Sequence, residues 1–190
     1  DLLKKLSSEI GFGLSIISPV DGGEDNKPFS SETIRAALRD GDPMSAAFSL
    51  GYWWEISGRV RAGSARGKKF GYPTANFPLG SWLHPRFGIY AVHVFIEGDQ
   101  TWRPGVASVG IRPMFKSQYP ILEAHLFDFD ENLYGKLIRV ALVEFLRPEA
   151  EFKSIDALLE AMEEDSKRAQ KILESPKGAS DRFSIWSSST

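Results

Sequence analysis

Between Trp54 and Phe145 the chain is a series of short β-rich segments broken by turns, and this pattern limits its fold more than any other feature. Residues 54–60 alternate apolar and polar side chains, and residues 89–96, 102–109, 121–127 and 137–145 are rich in β-branched and aromatic types. Turn residues such as Glu97-Gly98-Asp99 and Asp130-Glu131-Asn132 separate them. Several short strands joined by turns predict a small antiparallel barrel, because closure removes the open edges that would otherwise pair with other chains. Ser154 then caps a predicted helix in which Ile155, Leu158, Leu159, Met162, Ala169, Ile172 and Leu173 form one apolar stripe for the barrel. Glu163, Glu164, Asp165, Lys167 and Arg168 fall on its expected solvated face. From Ser175 the chain reads as a mobile tail, with Pro176, Gly178 and a run of serines.

Upstream of the strands the pattern is helical. Residues 2–10 read as a helix, residues 14–17 as a short apolar strand, and a turn-rich loop with Pro19, Asp21-Gly22-Gly23 and Pro28 follows. Ser30 and Ser31 offer an N-cap for a helix that Gly41 stops, and Asp42-Pro43 starts a second helix that Gly51 ends. The expected organisation is therefore a segment 1–52, a β domain 53–174 and a tail 175–190.

Composition narrows the function classes. With 190 residues and 42% hydrophobic content the chain can bury a core, which argues against global disorder. A formal charge of -2 gives no general attraction to nucleic acid or membrane. Absence of cysteine excludes disulfides and thiolate metal sites and fits a cytoplasmic protein. No apolar run reaches membrane-spanning length, and no signal-peptide pattern opens the sequence. His84, His93 and His125 are too scattered for a zinc motif and read as packing or hydrogen-bonding residues.

The chemistry concentrates in Gly63-Ser-Ala-Arg-Gly67-Lys68-Lys69-Phe70-Gly71-Tyr72-Pro73-Thr74-Ala75-Asn76-Phe77. Glycines let backbone N–H groups approach an anion closely, and Lys68 and Lys69, with Arg59, Arg61 and Arg66 nearby, can neutralise phosphate charge. Pro73 fixes its own φ and holds Tyr72 extended. Thr74 and Asn76 then share one side of an extended backbone and present hard oxygen donors suited to a Mg²⁺ that already carries nucleotide phosphate. The spacing is neither the Walker pattern nor the dinucleotide fingerprint, and on its own it is equally compatible with a plain surface hairpin.

Gly63-x-x-x-Gly67-x-x-x-Gly71-x-Pro73-Thr74-Ala75-Asn76 resembles the ATP-binding signature of riboflavin kinases. The resemblance continues in order through Gly88-Ile-Tyr-Ala-Val92, Gly105-Val-Ala-Ser-Val-Gly-Ile-Arg-Pro113, Leu122-Glu123-Ala-His125-Leu-Phe-Asp-Phe129, Leu133-Tyr134-Gly135 and Leu146-Arg147-Pro148-Glu149, ending at Phe152 and a helix. It implies a mainly β fold, a six-stranded antiparallel Greek-key barrel with a C-terminal helix. The implied reaction moves the γ-phosphoryl of ATP to the 5′-hydroxyl of riboflavin, giving FMN and ADP. It also implies roles: Glu123 as catalytic base, Thr74 and Asn76 toward Mg²⁺ and phosphates, and Gly63, Gly67, Lys68 and Pro73 around the phosphate chain. Leu126, Asp128 and Tyr134 fall where the family contacts adenine and ribose, and Arg147 and Phe152 on the flavin side. Mg²⁺ accompanies ATP, with Mn²⁺ or Zn²⁺ as substitutes. Strand alternation turns Glu123 away from Leu122 and Ala124, and the expectation is that it enters the barrel mouth. The insert 78–87, with Trp82 and His84, is expected to form a flap over the nucleotide. Phe70 and Ala65 depart from the family pattern without removing a donor.

Phe29-Ser-Ser-Glu-Thr-Ile34-Arg35, followed by Leu38, Gly41-Asp42, Ala46 and Leu50-Gly51, is similar to the end of the adenylyltransferase half of bacterial bifunctional FAD synthetases. In those proteins this segment helps hold nucleotide phosphates. A His-x-Gly-His motif is absent here, so residues 1–52 read as a remnant of an α/β nucleotidyltransferase domain, with Ser30, Ser31 and Arg35 left to cap and solvate a helix. Two other readings compete: a non-catalytic flavin- or nucleotide-binding barrel, and an oligonucleotide-binding barrel using Trp53, Trp54 and the basic cluster. Carboxylates throughout the strands weigh against the last.

Overall fold

The computed structural model describes residues 2–15, 21–22, 27–61, 72–111 and 120–183. It divides into two compact units, with the boundary between Ser30 and Ser31. The first holds helix α1 (Leu2–Ile10) and two short antiparallel strands, β1 (Asp21–Gly22) and β2 (Lys27–Pro28). The expected strand at 14–17 is not formed at Leu14 and Ser15, and its last two positions lie outside the described residues. The short strands β1 and β2 stand where a loop was expected, and residues 23–26 lie outside the described residues.

The second unit begins with helices α2 (Ser31–Asp40) and α3 (Pro43–Leu50). The Asp42 side chain caps α3 by accepting from the Ser45 N–H at 3.0 Å, and Gly51 ends it in the left-handed region at φ 77°. The sequence reading groups these helices with residues 1–30, but they pack with the barrel. Ala46 and Ala47 are fully buried, and the Arg86 N–H donates to Leu38 O. Small side chains let α3 sit close against the sheet.

Six antiparallel strands follow: β3 (Glu55–Arg59), β4 (Ala75–Pro78), β5 (Gly88–Ile96), β6 (Arg103–Gly110), β7 (Ile121–Leu126) and β8 (Leu137–Arg147). Their spatial order is β3-β8-β5-β6-β7-β4. The ends of this order meet, because the Arg61 N–H donates to Asn76 O at 2.9 Å, so the sheet is a nearly closed barrel. Gly58 makes the meeting possible. A Cβ there would lie 2.0 Å from a ring carbon of Phe77, which is itself 1% exposed, so the aromatic ring occupies the space a side chain would need.

Alternate residues point inward. Ile56, Phe77, Tyr90, Val92, Val94, Val109, Leu122, Leu126, Val140 and Leu142 belong to one buried cluster fed by all six strands. Each fully buried aliphatic chain of this kind contributes about 1.5–3 kcal/mol. The outer face of β5, β6 and β8 forms a second core with helix α4 (Ile155–Leu173) and Trp53. Ser154 caps α4 as predicted, accepting from the Ala157 N–H at 3.1 Å.

Two expectations about this helix and its tail change. Asp165 is buried, because Asp165, Ala169 and Leu173, spaced four apart, are the residues turned to the barrel. Residues 175–183 pack on the barrel: the Trp53 indole N–H donates to Ala179 O, His93 bonds Gly178 O, and Phe183 meets Trp53 edge to face at 4.9 Å. One aromatic anchor and two hydrogen bonds hold a stretch whose Pro and Gly content reads as tail. Residues 184–190 lie outside the described residues.

Candidate active site

The site assembles on β7, between β4 and β6. The register sets Asn76 of β4 and Ser108 of β6 directly opposite Glu123 on its two sides. Leu122, Ala124 and Leu126 fill the barrel interior, so Glu123, Asn76 and Ser108 line up in one row on the outer face. The expectation that Glu123 faces away from Leu122 and Ala124 holds. Its carboxylate lies on the outside of the barrel wall, however, because the interior is already packed with apolar side chains. Directly opposite residues have Cβ atoms about 4.5–5.5 Å apart, so one small ligand can touch the Glu123 carboxylate and the Asn76 amide together. Glu123 and Ser108 also make further interactions within the fold. Thr74, two residues before Asn76, extends the same side.

His125 ties this row to the preceding loop. Its Nδ1 is 2.9 Å from Pro73 O, and since a carbonyl can only accept, Nδ1 carries the proton. The imidazole also meets the Tyr72 ring at 4.9 Å and the Phe127 ring at 6.0 Å. Pro73 and Thr74 are thereby held against the end of β7. The backbone then turns sharply: the Phe127 N–H donates to Pro104 O, and Asp128 adopts φ 49°, a left-handed conformation that aspartate tolerates.

A cleft of about 760 Å³ opens beside this turn. Tyr72 and Pro73 form one wall and residues 125–130 another, while α4 supplies Ser166 and Gln170. Of the residues expected to contact nucleotide, Pro73, Leu126 and Asp128 line the cleft, Asn76 and Glu123 lie on the adjoining strands, and Thr74 immediately precedes β4. Tyr134 does not line it. It sits, 54% exposed, in a separate turn where its N–H donates to Asn132 Oδ1. Gly63, Gly67 and Lys68 lie outside the described residues.

Arg147 is engaged elsewhere. Its Nε donates to Asp165 Oδ1 at 2.9 Å, Nη2 to Oδ2 at 2.6 Å and Nη1 to Pro148 O at 3.0 Å, while its guanidinium covers the Phe152 ring at 5.5 Å. Arg147 and Phe152 thus come together, with the cation pinned to α4. Glu149 lies over the outer face of β6: a Cβ at Gly110 would come within 2.3 Å of its carboxylate. Gly110 is two residues beyond Ser108 on the same face. The insert 78–87 lines none of the cleft. Trp82 Nε1 donates to Ser57 O and the Leu79 N–H to Pro120 O, which fix the insert to the strand framework where a nucleotide flap was expected.

Ser108, Ser166, Gln170 and Asp165 were not legible as site residues, since their partners are distant in sequence. The repeated outward positions of β6 were the only signal for Ser108. Among the described residues, no group of three or more His, Asp or Glu side chains could hold a metal ion unaided. Thr74 and Asn76 fit a cation that arrives with phosphate oxygens as its other ligands. Among the described residues, no helix is long and apolar enough to cross a membrane.

The profile of the riboflavin kinase family (Flavokinase) matches residues 50–173. A bifunctional riboflavin kinase/FMN adenylyltransferase of Haemophilus influenzae is 37% identical over 159 residues, covering 80% of this chain and 51% of that protein. A solved structure titled a macrolide-efflux protein from Streptococcus pneumoniae superposes with a TM-score of 0.71 at 32% identity, covering 86% of this chain and 54% of that one. Riboflavin kinase from Trypanosoma brucei shares the fold, with a TM-score of 0.50 at 20% identity over 71% of this chain and 91% of that one. The chain spans about half the length of the curated relatives it matches.

Proposed function

Since the chain belongs to the riboflavin kinase family, we propose that it transfers the γ-phosphoryl of ATP to the 5′-hydroxyl of riboflavin, giving FMN and ADP. The observation that carries this reading is the row Asn76–Glu123–Ser108, with Thr74 beside it, at the edge of a cleft large enough for a nucleotide. Phosphoryl transfer needs an alcohol held in line, neutralised phosphate charge and a group to take the proton. Glu123 orients the ribityl hydroxyl and accepts its proton as transfer proceeds. Thr74 and Asn76 hold the phosphate end, where bound Mg²⁺ would neutralise developing charge; Mn²⁺ or Zn²⁺ would substitute. On this reading Gly63, Gly67, Lys68 and Pro73 serve the phosphate chain, and Leu126, Asp128 and Tyr134 serve adenine and ribose, Leu126 and Asp128 being the two of these that line the cleft. Arg147 holds Phe152 and the loop after β8 for the flavin ring.

We read residues 1–52 as the end of a preceding adenylyltransferase domain in a longer, cytoplasmic FAD-making protein. A His-x-Gly-His motif upstream and FAD formation by the full-length gene product would bear this out.

The kinase test is FMN formation from riboflavin, ATP and Mg²⁺. Glu123→Gln is expected to lower kcat by about 100-fold or more, in line with the loss of a general base, and Asn76→Ala to raise the KM for MgATP. No FMN from the unmodified protein refutes the kinase reading, and full activity in Glu123→Gln refutes the base. Riboflavin binding without ATP consumption would favour a non-catalytic barrel.

A further inference from the structure

The backbone ladder between β4 and β7 ends at Ala75, and a side chain takes over from it. The register pairs Asn76 with Glu123 and Ala75 with Ala124, and carried one residue further it sets Thr74 opposite His125. Pro73 has no N–H to donate to a longer ladder. Past Leu126 the β7 backbone stays with β6, where the Phe127 N–H donates to Pro104 O, and Asp128 then turns at φ 49°. The Pro73 carbonyl is met instead by His125 Nδ1–H, at 2.9 Å. Asn76 is fixed by backbone on both sides, through its pairing with Glu123 and through the Arg61 N–H on its carbonyl. Thr74 lies outside the strand and takes its place from Pro73 before it and from Ala75, buried in the barrel core, after it. His125 and Glu123 project from the same face of β7, two residues apart. One strand therefore carries both the carboxylate and the anchor of the loop beside it.

On the kinase reading, which assigns Thr74 and Asn76 to the phosphate end of the nucleotide and on which this rests, we propose that His125 is a positioning residue. Its Nδ1–H holds the Pro73 carbonyl so that the Thr74 hydroxyl and the Asn76 amide oxygen face one divalent cation together. Both are neutral oxygen donors, so what they add to a cation already carrying phosphate depends on their placement and not on charge. A site for Mg²⁺ tolerates little departure from octahedral geometry, which makes that placement exacting. Releasing the Pro73 carbonyl frees Thr74 and leaves Asn76 where the strand holds it. Ring packing is a separate effect: the imidazole meets the Tyr72 ring at 4.9 Å and the Phe127 ring at 6.0 Å. Substitution separates the two. Phenylalanine keeps a ring and has no donor, whereas asparagine has no ring but carries an amide N–H on the atom bonded to Cγ, where Nδ1 stands in histidine.

Calorimetric titration of ADP, once with Mg²⁺ and once with EDTA, into the unmodified protein, His125→Phe and His125→Asn tests this, with riboflavin omitted. His125→Phe is expected to weaken MgADP binding about three- to tenfold, the range of one hydrogen bond, and to leave metal-free ADP binding within about twofold. His125→Asn should recover most of the lost MgADP affinity. His125→Leu, a second variant without the donor, should match His125→Phe. Four results would each overturn the proposal: unchanged MgADP affinity in the folded donor-less variants, a loss in His125→Asn as large as theirs or larger, equal losses with and without metal, or no metal-dependent ADP binding by the unmodified protein. FMN formation by the unmodified protein is measured separately. Its absence alongside metal-dependent ADP binding refutes the kinase reading, while the order of the variants' affinities still decides the role of His125.

Discussion

Replacing Asp165 with alanine separates a structural role for Arg147 from a flavin-binding one. Asp165 receives three donor contacts from the guanidinium, at 2.9, 3.1 and 2.6 Å, and its side chain is 10% exposed while that of Arg147 is 26% exposed. Removing the carboxylate leaves a cation with one remaining bond, to Pro148 O. Breaking a buried pair costs about 3–5 kcal/mol, and because water can reach part of Arg147 the lower end applies, about 3 kcal/mol. With a urea slope of about 2 kcal/mol/M the midpoint falls by about 1.5 M. The replacement Arg147→Met with Asp165→Leu, which removes both charges and keeps apolar volume, is expected to recover most of the loss. Urea unfolding followed by tryptophan fluorescence reads both values. Riboflavin KM, measured on the folded fraction of the double variant, reads the other role. A loss below about 1 kcal/mol in Asp165→Ala would refute the energetic argument. A double variant as stable as the unmodified protein but unable to bind riboflavin would assign Arg147 directly to the flavin.

Gly58→Ala forces a methyl into the space held by the Phe77 ring and is expected to cost about 1–3 kcal/mol, with Phe77→Leu in the same chain recovering part of it; thermal unfolding of the unmodified protein and both variants decides, and an undiminished midpoint for Gly58→Ala would refute the closure argument. Burial pushes the His93 imidazole below its usual pKa of about 6.5, against weaker upward effects of the Gly178 hydrogen bond and Asp181. The unfolded chain therefore binds the proton more readily, so the contribution of this contact is complete above about pH 6.5 and is lost as pH falls toward the lower folded value. Urea midpoints between pH 7.5 and 5.5 should fall more steeply for the unmodified protein than for His93→Gln, and parallel slopes would refute the assignment.

The barrel was legible in the sequence because inward and outward positions alternate along strands such as β7, where Leu122, Ala124 and Leu126 enter the core while Glu123 and His125 do not. Strand β4 was legible only as the extended Thr74–Asn76 stretch, since a four-residue strand at the edge carries too few alternations to register as a strand. Fold and reaction class also came from motif order, which records what each loop does in the family. What no motif or period could carry was partnership across long separations. Asp165 sits among Glu163, Glu164, Lys167 and Arg168, and local composition marks all five as solvated. Its burial is decided by Arg147, 18 residues earlier on another element.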